Sequence, residues 1–343
     1  MCLFTLRFSV VAALAGLLSA CAAAPSQPAP GGLPDLASYA LFRTDGGARP
    51  AQRVSAAQAA EVLKDYDVVF LGELHRHPGN HAAQMALYRE IQTRAGAVDL
   101  SLEQFERDVQ KVVDDYMAGR IGEDALKTDG RAWDNYPVSY RPLVEYAKDH
   151  KLAVIAAEAP GMVIRCVGQE GPAFLARMKP EQRSWAAAEL HLTDGAYKDK
   201  YLGFATGDGA HGKDPKTGAV TEAVMRSFAA QVTRDDTMAE SIFNHLRAHP
   251  GHKVVHLNGA FHSESFLGTA ERLKMRDPKL KIAVVNPIEL DDPTKLTVSA
   301  KDATTGTFVL LLRAQPKAYI SEAEMRAAIT KQMSFRKDAK CEL

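Results

Sequence analysis

The chain has 343 residues, with 42 basic and 42 acidic side chains and no formal net charge at neutral pH. This balance excludes the strongly basic surface that nucleic acids or anionic membranes would require. About 300 residues follow the N-terminal segment described next, which is enough for one large domain with a helical insertion.

Residues 1–20 have the pattern of an export signal. They contain one charged residue, Arg7, followed by an apolar run that ends in small residues. Residues 18–21, LSAC, resemble a bacterial lipobox, in which the cysteine is lipidated and becomes the mature N-terminus. We therefore predict a signal peptide over 1–20 and a lipid-anchored linker over 21–50, which is rich in proline and glycine.

The residues after Cys21 predict where the anchor lies. Resemblance to inner-membrane lipoproteins would call for an aspartate here, but Ala22 and Ala23 follow, so we expect a periplasm-facing protein anchored in the outer membrane. The alternative is a plain secretory signal in which Cys21 is incidental. In an oxidising periplasm Cys166 and Cys341 either form a disulfide or stay as separate thiols, and the sequence leaves both open.

The period of the apolar residues then alternates between strand and helix. Ser55 and Gln58 form a capping-box pattern at the start of the first predicted helix. Five short apolar runs predict strands: DVVFLG, VDLSLE, LAVIAAE, KVVHLNG and LKIAVVN. The sequence thus predicts an α/β domain over 51–315, with a mainly parallel sheet, helices on both faces and a helical insertion, about 160–250, before the fourth core strand. A C-terminal tail is predicted over 316–343.

Acidic and histidine side chains follow the predicted strands. Glu73 and His75 come after the first strand, Glu103 ends the second, Glu158 ends the third, and His262 follows the fourth. In open parallel sheets, binding sites form at the carboxyl ends of the strands. The sequence therefore predicts that these side chains meet at one edge of the sheet.

Carboxylates and imidazoles together support three kinds of chemistry. They can bind a divalent metal, transfer protons, or supply an axial ligand and a hydrogen-bonding partner for an iron-bearing cofactor. The candidates for metal binding and for catalysis are the same four residues: Glu73, His75, Glu103 and His262. Gly72 and Gly259 are expected to supply tight turns beside them.

Five segments carry a resemblance to a known family: LGELHRHPGNHAAQ, LSLEQF, WDNYPVSYRPLVEYAK, QVTRDDTMA and LNGAFHSE. They resemble the ChaN family of iron-regulated, haem-binding lipoproteins in the Tiki/TraB/erythromycin-esterase superfamily. The superfamily pattern is two G-x-x-H motifs and a glutamate, here at 72–75, 259–262 and Glu103. The family commonly has Asp-Asn after the first motif, where this chain has Arg76 and His77.

The resemblance implies a function and a set of partners. It implies a lipid-anchored outer-membrane protein that binds haem and takes part in iron uptake. An outer-membrane haem receptor and a second copy of the chain are the implied protein partners. Some relatives have a metal-dependent hydrolytic site at the same place. The alternative function is therefore a hydrolase that uses the two G-x-x-H motifs and Glu103.

The resemblance also implies tyrosinate-ligated haem that lies between paired subunits. Tyr140 is the predicted axial ligand and Tyr136 its alternative, with Arg141 beside the phenolate. His77 and His81 complete the predicted haem-binding set. The alternative is that these aromatic residues only pack a loop onto the core.

Overall fold

The computed structural model describes residues 31–207, 212–214, 216–337 and 341, which form a sheet of eight strands covered by helices. The predicted signal peptide and Cys21 lie outside these residues. The strands are β1 (Tyr39–Arg43), β2 (Gln52–Val54), β3 (Val68–Glu73), β4 (Val98–Glu106), β5 (Val154–Glu158), β6 (Lys253–Gly259), β7 (Ile282–Leu290) and β8 (Phe308–Arg313). Their order across the sheet is β2-β1-β8-β7-β3-β6-β4-β5.

The helices of the described residues are α1 (Ala56–Leu63), α2 (Pro78–Ala95), α3 (Gln110–Met117), α4 (Glu123–Asp129), α5 (Tyr136–Ser139), α6 (Arg141–Asp149), α7 (Gly161–Glu170), α8 (Pro180–Arg183), α9 (Ala196–Thr206), α10 (Glu222–Ala248), α11 (Thr269–Arg276), α12 (Ala300–Ala303) and α13 (Glu322–Lys337). Short 3-10 turns lie at Asp45–Gly47, Arg107–Val109, Pro172–Arg177, Ala260–His262 and Glu264–Phe266. None of these helices is long and apolar enough to cross a bilayer.

The predicted α/β class and its mainly parallel sheet are confirmed. All five predicted strands form, as β3 to β7, and each pairs in parallel with its neighbours. The capping box also forms, because the Ser55 side chain accepts a hydrogen bond from the Gln58 backbone N–H, and the Gln58 side chain accepts one from the Ser55 backbone.

Part of the segment predicted to be a linker is a strand in the antiparallel part of the sheet. β1 lies inside 21–50, pairs with both β2 and β8, and buries Ala40, Leu41 and Phe42. The linker prediction is wrong for residues 39–43, because these residues pair with β8 and are part of the folded domain. β8 continues the parallel part of the sheet from β7.

Both faces of the central strands are covered, as predicted. Val69 and Leu71 of β3 pack in the core beneath α1, α2 and α6, whereas Val68 and Phe70 pack on the opposite face with residues of α10 and α11. This alternation is what a strand buried on both sides requires. The insertion before β6 is confirmed as helical and contains α7 to α10.

A disulfide joins the insertion to the C-terminal tail. Cys166 of α7 pairs with Cys341, with 5.5 Å between their Cα atoms. The sequence left this pairing open. The tail is therefore tied to the domain, and it includes helix α13.

Candidate functional site

Glu73 is the centre of a hydrogen-bonded cluster at the carboxyl end of β3. Its buried Oε1 accepts hydrogen bonds from the Tyr140 hydroxyl at 2.5 Å and from His75 Nδ1 at 2.7 Å, and its Oε2 accepts one from Gln84 Nε2 at 3.1 Å. Burial alone would raise the pKa of Glu73, but the hydrogen bond from His75 and nearby imidazoles lower it below its usual value. The carboxylate is therefore charged at neutral pH.

His75 is the open imidazole of the cluster, because 48% of its side chain is exposed while the His77, His81 and His262 side chains are buried. Its ring lies edge-on to Trp133, with 5.2 Å between the ring centroids. Burial lowers the pKa of His75, but the hydrogen bond to Glu73 and the charge of Glu103 outweigh this and raise it above its usual value. Its Nε2 has no hydrogen-bond partner among the described residues.

Gly259 leaves room for this ring. A methyl group at Gly259 would lie 2.8 Å from His75 Nε2, closer than van der Waals contact allows. The expected tight-turn role is wrong for this glycine, because its φ is −51°, a value that any residue adopts. Gly259 is needed for the space beside His75.

Glu103, His262 and Asp235 form the second half of the site. Glu103 lies where the register of β4 with β5 breaks, and its Oε2 accepts a hydrogen bond from Gly259 N at 2.6 Å. His262 places Nε2 3.7 Å from Glu103 Oε1 and shares a 2.8 Å hydrogen bond between Nδ1 and Asp235 Oδ1. Burial alone would lower the pKa of His262, but Asp235 and Glu103 raise it to about 9.

Glu158 is the last residue of β5 and lies near Glu103 and His262. Its Oε1 accepts a hydrogen bond from Ala159 N at 2.7 Å, and its Oε2 pairs with Arg234. Burial raises the pKa of Glu158 to about 7. The charge of Arg234 lowers this pKa, and the charge of Glu103 raises it further. The four strand ends thus carry their predicted residues to one edge of the sheet.

The four predicted metal ligands meet as two pairs. Glu73 lies against His75 and Glu103 lies near His262, but their ligand atoms do not close together around one point. A shared metal at this edge, and catalysis by these residues, therefore stay predictions.

The structure does not support Tyr140 or Tyr136 as an axial ligand. Tyr140 is buried with its hydroxyl donated to Glu73, and burial together with that carboxylate raises the pKa of Tyr140 well above its usual value. Tyr136 is buried in the core, where its hydroxyl has no partner among the described residues, and burial raises its pKa too. Burial and the raised pKa of each phenol disfavour a tyrosinate at either position, and their assignment as the axial ligand stays a prediction.

Two further predicted haem-binding residues, His77 and Arg141, are engaged by other groups of the protein. His77 is the N-cap of α2: its Nδ1 accepts from Gly79 N at 3.1 Å, and its Nε2 donates to the Arg313 carbonyl at 2.8 Å. Arg141 is paired with Glu123 instead of a phenolate.

His81 is buried behind Glu73. Its Nδ1 is hydrogen-bonded to Gln84 Oε1 at 2.8 Å, and its ring lies edge-on to Tyr140. Burial lowers its pKa, despite the nearby charge of Glu73. His81 therefore supports the carboxylate cluster from inside the protein.

The two positions where the family commonly has Asp-Asn have defined backbone roles in this chain. Arg76 adopts φ +67°, in the left-handed region that Asp and Asn enter more easily than Arg. His77 then occupies the N-cap, a position that Asn and Asp favour. Arg76 and His77 therefore occupy positions that the backbone conformation and the start of α2 define.

Sequence reasoning missed Asp235 and Arg234, which supply the partners of His262 and Glu158 from α10. The available signal was the polar group QVTRDD inside a helical pattern, since Gln231, Arg234 and Asp235 share one helix face. Asp235 is further fixed by Thr269 Oγ1 at 2.8 Å and by the Tyr197 hydroxyl.

The chain is similar in structure to solved proteins and, over a short segment, similar in sequence to a plant protein. The structure described as cofacial haem binding to ChaN of Campylobacter jejuni superposes with a TM-score of 0.55 at 14% identity, covering 80% of this chain and 98% of that one. An erythromycin esterase mutant in its open conformation gives a TM-score of 0.42 at 12% identity, covering 86% and 87%. The chloroplastic protein RETICULATA-RELATED 5 of Arabidopsis thaliana is 31% identical over 121 residues, which span 32% of this chain and 16% of the plant protein.

A family model gives the broadest assignment. The model described as haem-binding uptake, Tiki superfamily, ChaN matches residues 59–273. These residues include β3 to β6, the strands whose ends carry Glu73, Glu103, Glu158 and His262. The chain therefore belongs to the ChaN haem-binding uptake family of the Tiki superfamily.

Proposed function

We propose that this chain is a haem-binding protein of the bacterial envelope and that His75 binds the haem iron. The observation that carries the proposal is the Glu73–His75 pair within a domain of this family. A buried carboxylate that accepts a hydrogen bond from one ring nitrogen fixes the ring and makes the other nitrogen a better ligand. In His75 that other nitrogen is Nε2, on a half-exposed ring.

The surroundings of His75 suit a flat apolar ligand. Trp133 packs against the imidazole, and Val138 on the neighbouring helix α5 is 78% exposed. On the other side of the edge Phe204, 74% exposed, packs against Phe261, the residue before His262. These apolar side chains would contact the bound ligand. When bound, haem would supply a ferric centre that accepts the imidazole nitrogen.

We propose that two copies of the chain form a dimer with the bound haems between them. The Campylobacter relative is described as binding haem cofacially. An open ligand on an exposed edge, with apolar side chains at both ends of that edge, supports the same arrangement here, because two such edges would cover two stacked haems from both sides.

The proposed location is the periplasmic side of the outer membrane, through a lipid on Cys21. The lipobox-like residues 18–21 support this proposal, and so does the Cys166–Cys341 disulfide, since such bonds persist in oxidising compartments. From there the protein would pass haem to or from an outer-membrane haem receptor during iron uptake.

Titration of the purified full-length chain with ferric haem tests the function. We expect saturable binding at one haem per chain, and a rise in the melting temperature because haem binds the folded state. Light scattering should show the mass of a dimer in the loaded sample only. Absence of saturable binding would refute the proposal.

A hydrolase is the second candidate function, and the buried Asp235–His262 pair favours it. Asp235 orients the His262 imidazole, and the other ring nitrogen faces Glu103. Such an arrangement can move a proton to or from a bound water. Hydrolysis of an ester panel that disappears in His262→Gln but persists in His75→Ala would establish this activity as separate from haem binding.

A further inference from the structure

A second cluster of metal-ligand residues lies at the opposite end of the sheet. Asp99 is the second residue of β4, His252 directly precedes β6, and His245 lies in the last turn of α10. Asp99 pairs in register with Val254, so His252 and Asp99 meet at the amino ends of two neighbouring strands. This edge is remote from Glu73 and His262, which lie at the carboxyl ends.

The Asp99 carboxylate is held in place by the backbone and presents one oxygen to both imidazoles. Its Oδ1 accepts a hydrogen bond from Ala153 N at 2.8 Å. Its Oδ2 lies 2.7 Å from His245 Nε2 and 2.7 Å from His252 Nδ1. The three ligand atoms all lie within 4.8 Å of one another. Among the described residues, no other three His, Cys, Asp or Glu side chains bring their ligand atoms this close together.

These distances require little change to accept a metal. Zinc binds imidazole nitrogen and carboxylate oxygen at about 2.0–2.2 Å, so tetrahedral ligand atoms lie about 3.3 Å apart. Opening each 2.7 Å contact by about 0.6 Å needs only a small rotation of the His rings. His252 can rotate because 36% of its side chain is exposed, whereas Asp99 is buried and stays fixed.

We propose that Asp99, His245 and His252 form a divalent-metal site suited to zinc. Three protein ligands leave one position open, which is the pattern of zinc sites that hold water or a further ligand. A cleft of about 930 Å³ borders His245 and is also lined by Arg107, Asp114 and His249. The exposed part of His252 gives the site a second contact with solvent.

His249 provides a matched control. Its ring stacks on His245 with 4.2 Å between the centroids, and its Nδ1 is hydrogen-bonded to the His245 carbonyl. It is exposed and is not one of the three residues whose ligand atoms converge. Its removal deletes a neighbouring imidazole without deleting a ligand.

The test is calorimetric titration of the full-length chain in detergent with Zn²⁺, repeated with Co²⁺ as a spectroscopic probe. We expect one Zn²⁺ equivalent that is retained by His249→Gln and by His75→Ala, and at least about 10-fold weaker binding of that equivalent in His252→Ala and Asp99→Asn. Zn²⁺ should raise the melting temperature of the wild type and fail to do so in His252→Ala.

Wild-type affinity in both His252→Ala and Asp99→Asn would overturn the proposal and leave Asp99 as a hydrogen-bond acceptor only. Melting curves in a chelator show whether each variant is folded before zinc is added. If Asp99→Asn fails to fold, His252→Ala decides, since it removes a partly exposed side chain.

Discussion

Tyr140 donates a hydrogen bond to the same oxygen of Glu73 that accepts one from His75, with 2.5 Å between the Tyr140 hydroxyl and Glu73 Oε1. Tyr140 and Glu73 are both buried, and His75 is half exposed. The phenol thus fixes the carboxylate, and the carboxylate fixes the imidazole. We therefore propose Tyr140 as a positioning residue and His75 as the haem ligand.

Gly259→Ala is expected to weaken haem binding with little loss of stability. The new methyl group would meet His75 Nε2 at 2.8 Å, and the half-exposed imidazole can move away more easily than the β6 backbone. We expect at least about a tenfold loss of haem affinity, as for a disturbed supporting contact. Haem titration and urea unfolding of the same preparation would check this, and unchanged affinity would show that the His75 position does not matter.

His77→Ala should destabilise the fold without changing the haem spectrum. The substitution removes the cap of α2 and the partly buried hydrogen bond to the Arg313 carbonyl, which together contribute about 2–3 kcal/mol. His77→Asn keeps a capping oxygen and should cost about 1 kcal/mol. Denaturant unfolding gives both values, and a lost haem spectrum in folded His77→Asn would instead make His77 a ligand.

The stability of the protein should fall as pH rises through about 9, because of His262. Below about pH 6.5 its imidazole is protonated in both folded and unfolded chains, and its stabilisation is fully present. Between that value and about 9 only the folded chain keeps the proton, so the stabilisation is lost as pH rises.

Urea unfolding at a series of pH values measures this loss. We expect about 1–3 kcal/mol in the wild type between pH 7.5 and 9.5, and a flatter profile in His262→Gln. The window starts above the pKa of Glu158, which is about 7, so titration of that carboxyl contributes little. Parallel profiles for the two proteins would contradict the protonated state of His262.

Cys21→Ala should release the protein from the membrane into the periplasm. The lipid on this residue would supply the membrane affinity, and the short segment after it adds none. Fractionation of cells that express wild type and variant would measure the change. A variant that still sediments with outer membranes would show that Cys21 is not the anchor.

The core of the fold was predictable because its signals are local. Each of β3 to β7 is a short apolar run bounded by helical patterns, and the parallel arrangement follows from that alternation. Strand β1, which lies between β2 and β8, escaped prediction, since its five residues follow a segment rich in proline and glycine and their burial depends on pairing with β8. That pairing joins residues far apart in the chain.

The site was predictable in its residues but not in their roles. Strand-end position brought Glu73, His75, Glu103 and His262 together, whereas the sequence could not show that Tyr140 is buried beneath Glu73. Asp235 was missed because a buried carboxylate inside a helix looks like a solvated one in sequence. Burial decides these roles, and it depends on the packing of α5, α6 and α10 against the sheet.

The most direct test of the account is the ferric haem spectrum of His75→Ala and Tyr140→Phe beside the wild type. We expect histidine-ligated ferric haem in the wild type, loss of that spectrum in folded His75→Ala, and the same spectrum in Tyr140→Phe. Tyr140→Phe should also lose about 1.5–3 kcal/mol of stability, because the buried Glu73 carboxylate loses a hydrogen bond. A tyrosinate spectrum that Tyr140→Phe abolishes and His75→Ala leaves intact would contradict the assignment of His75.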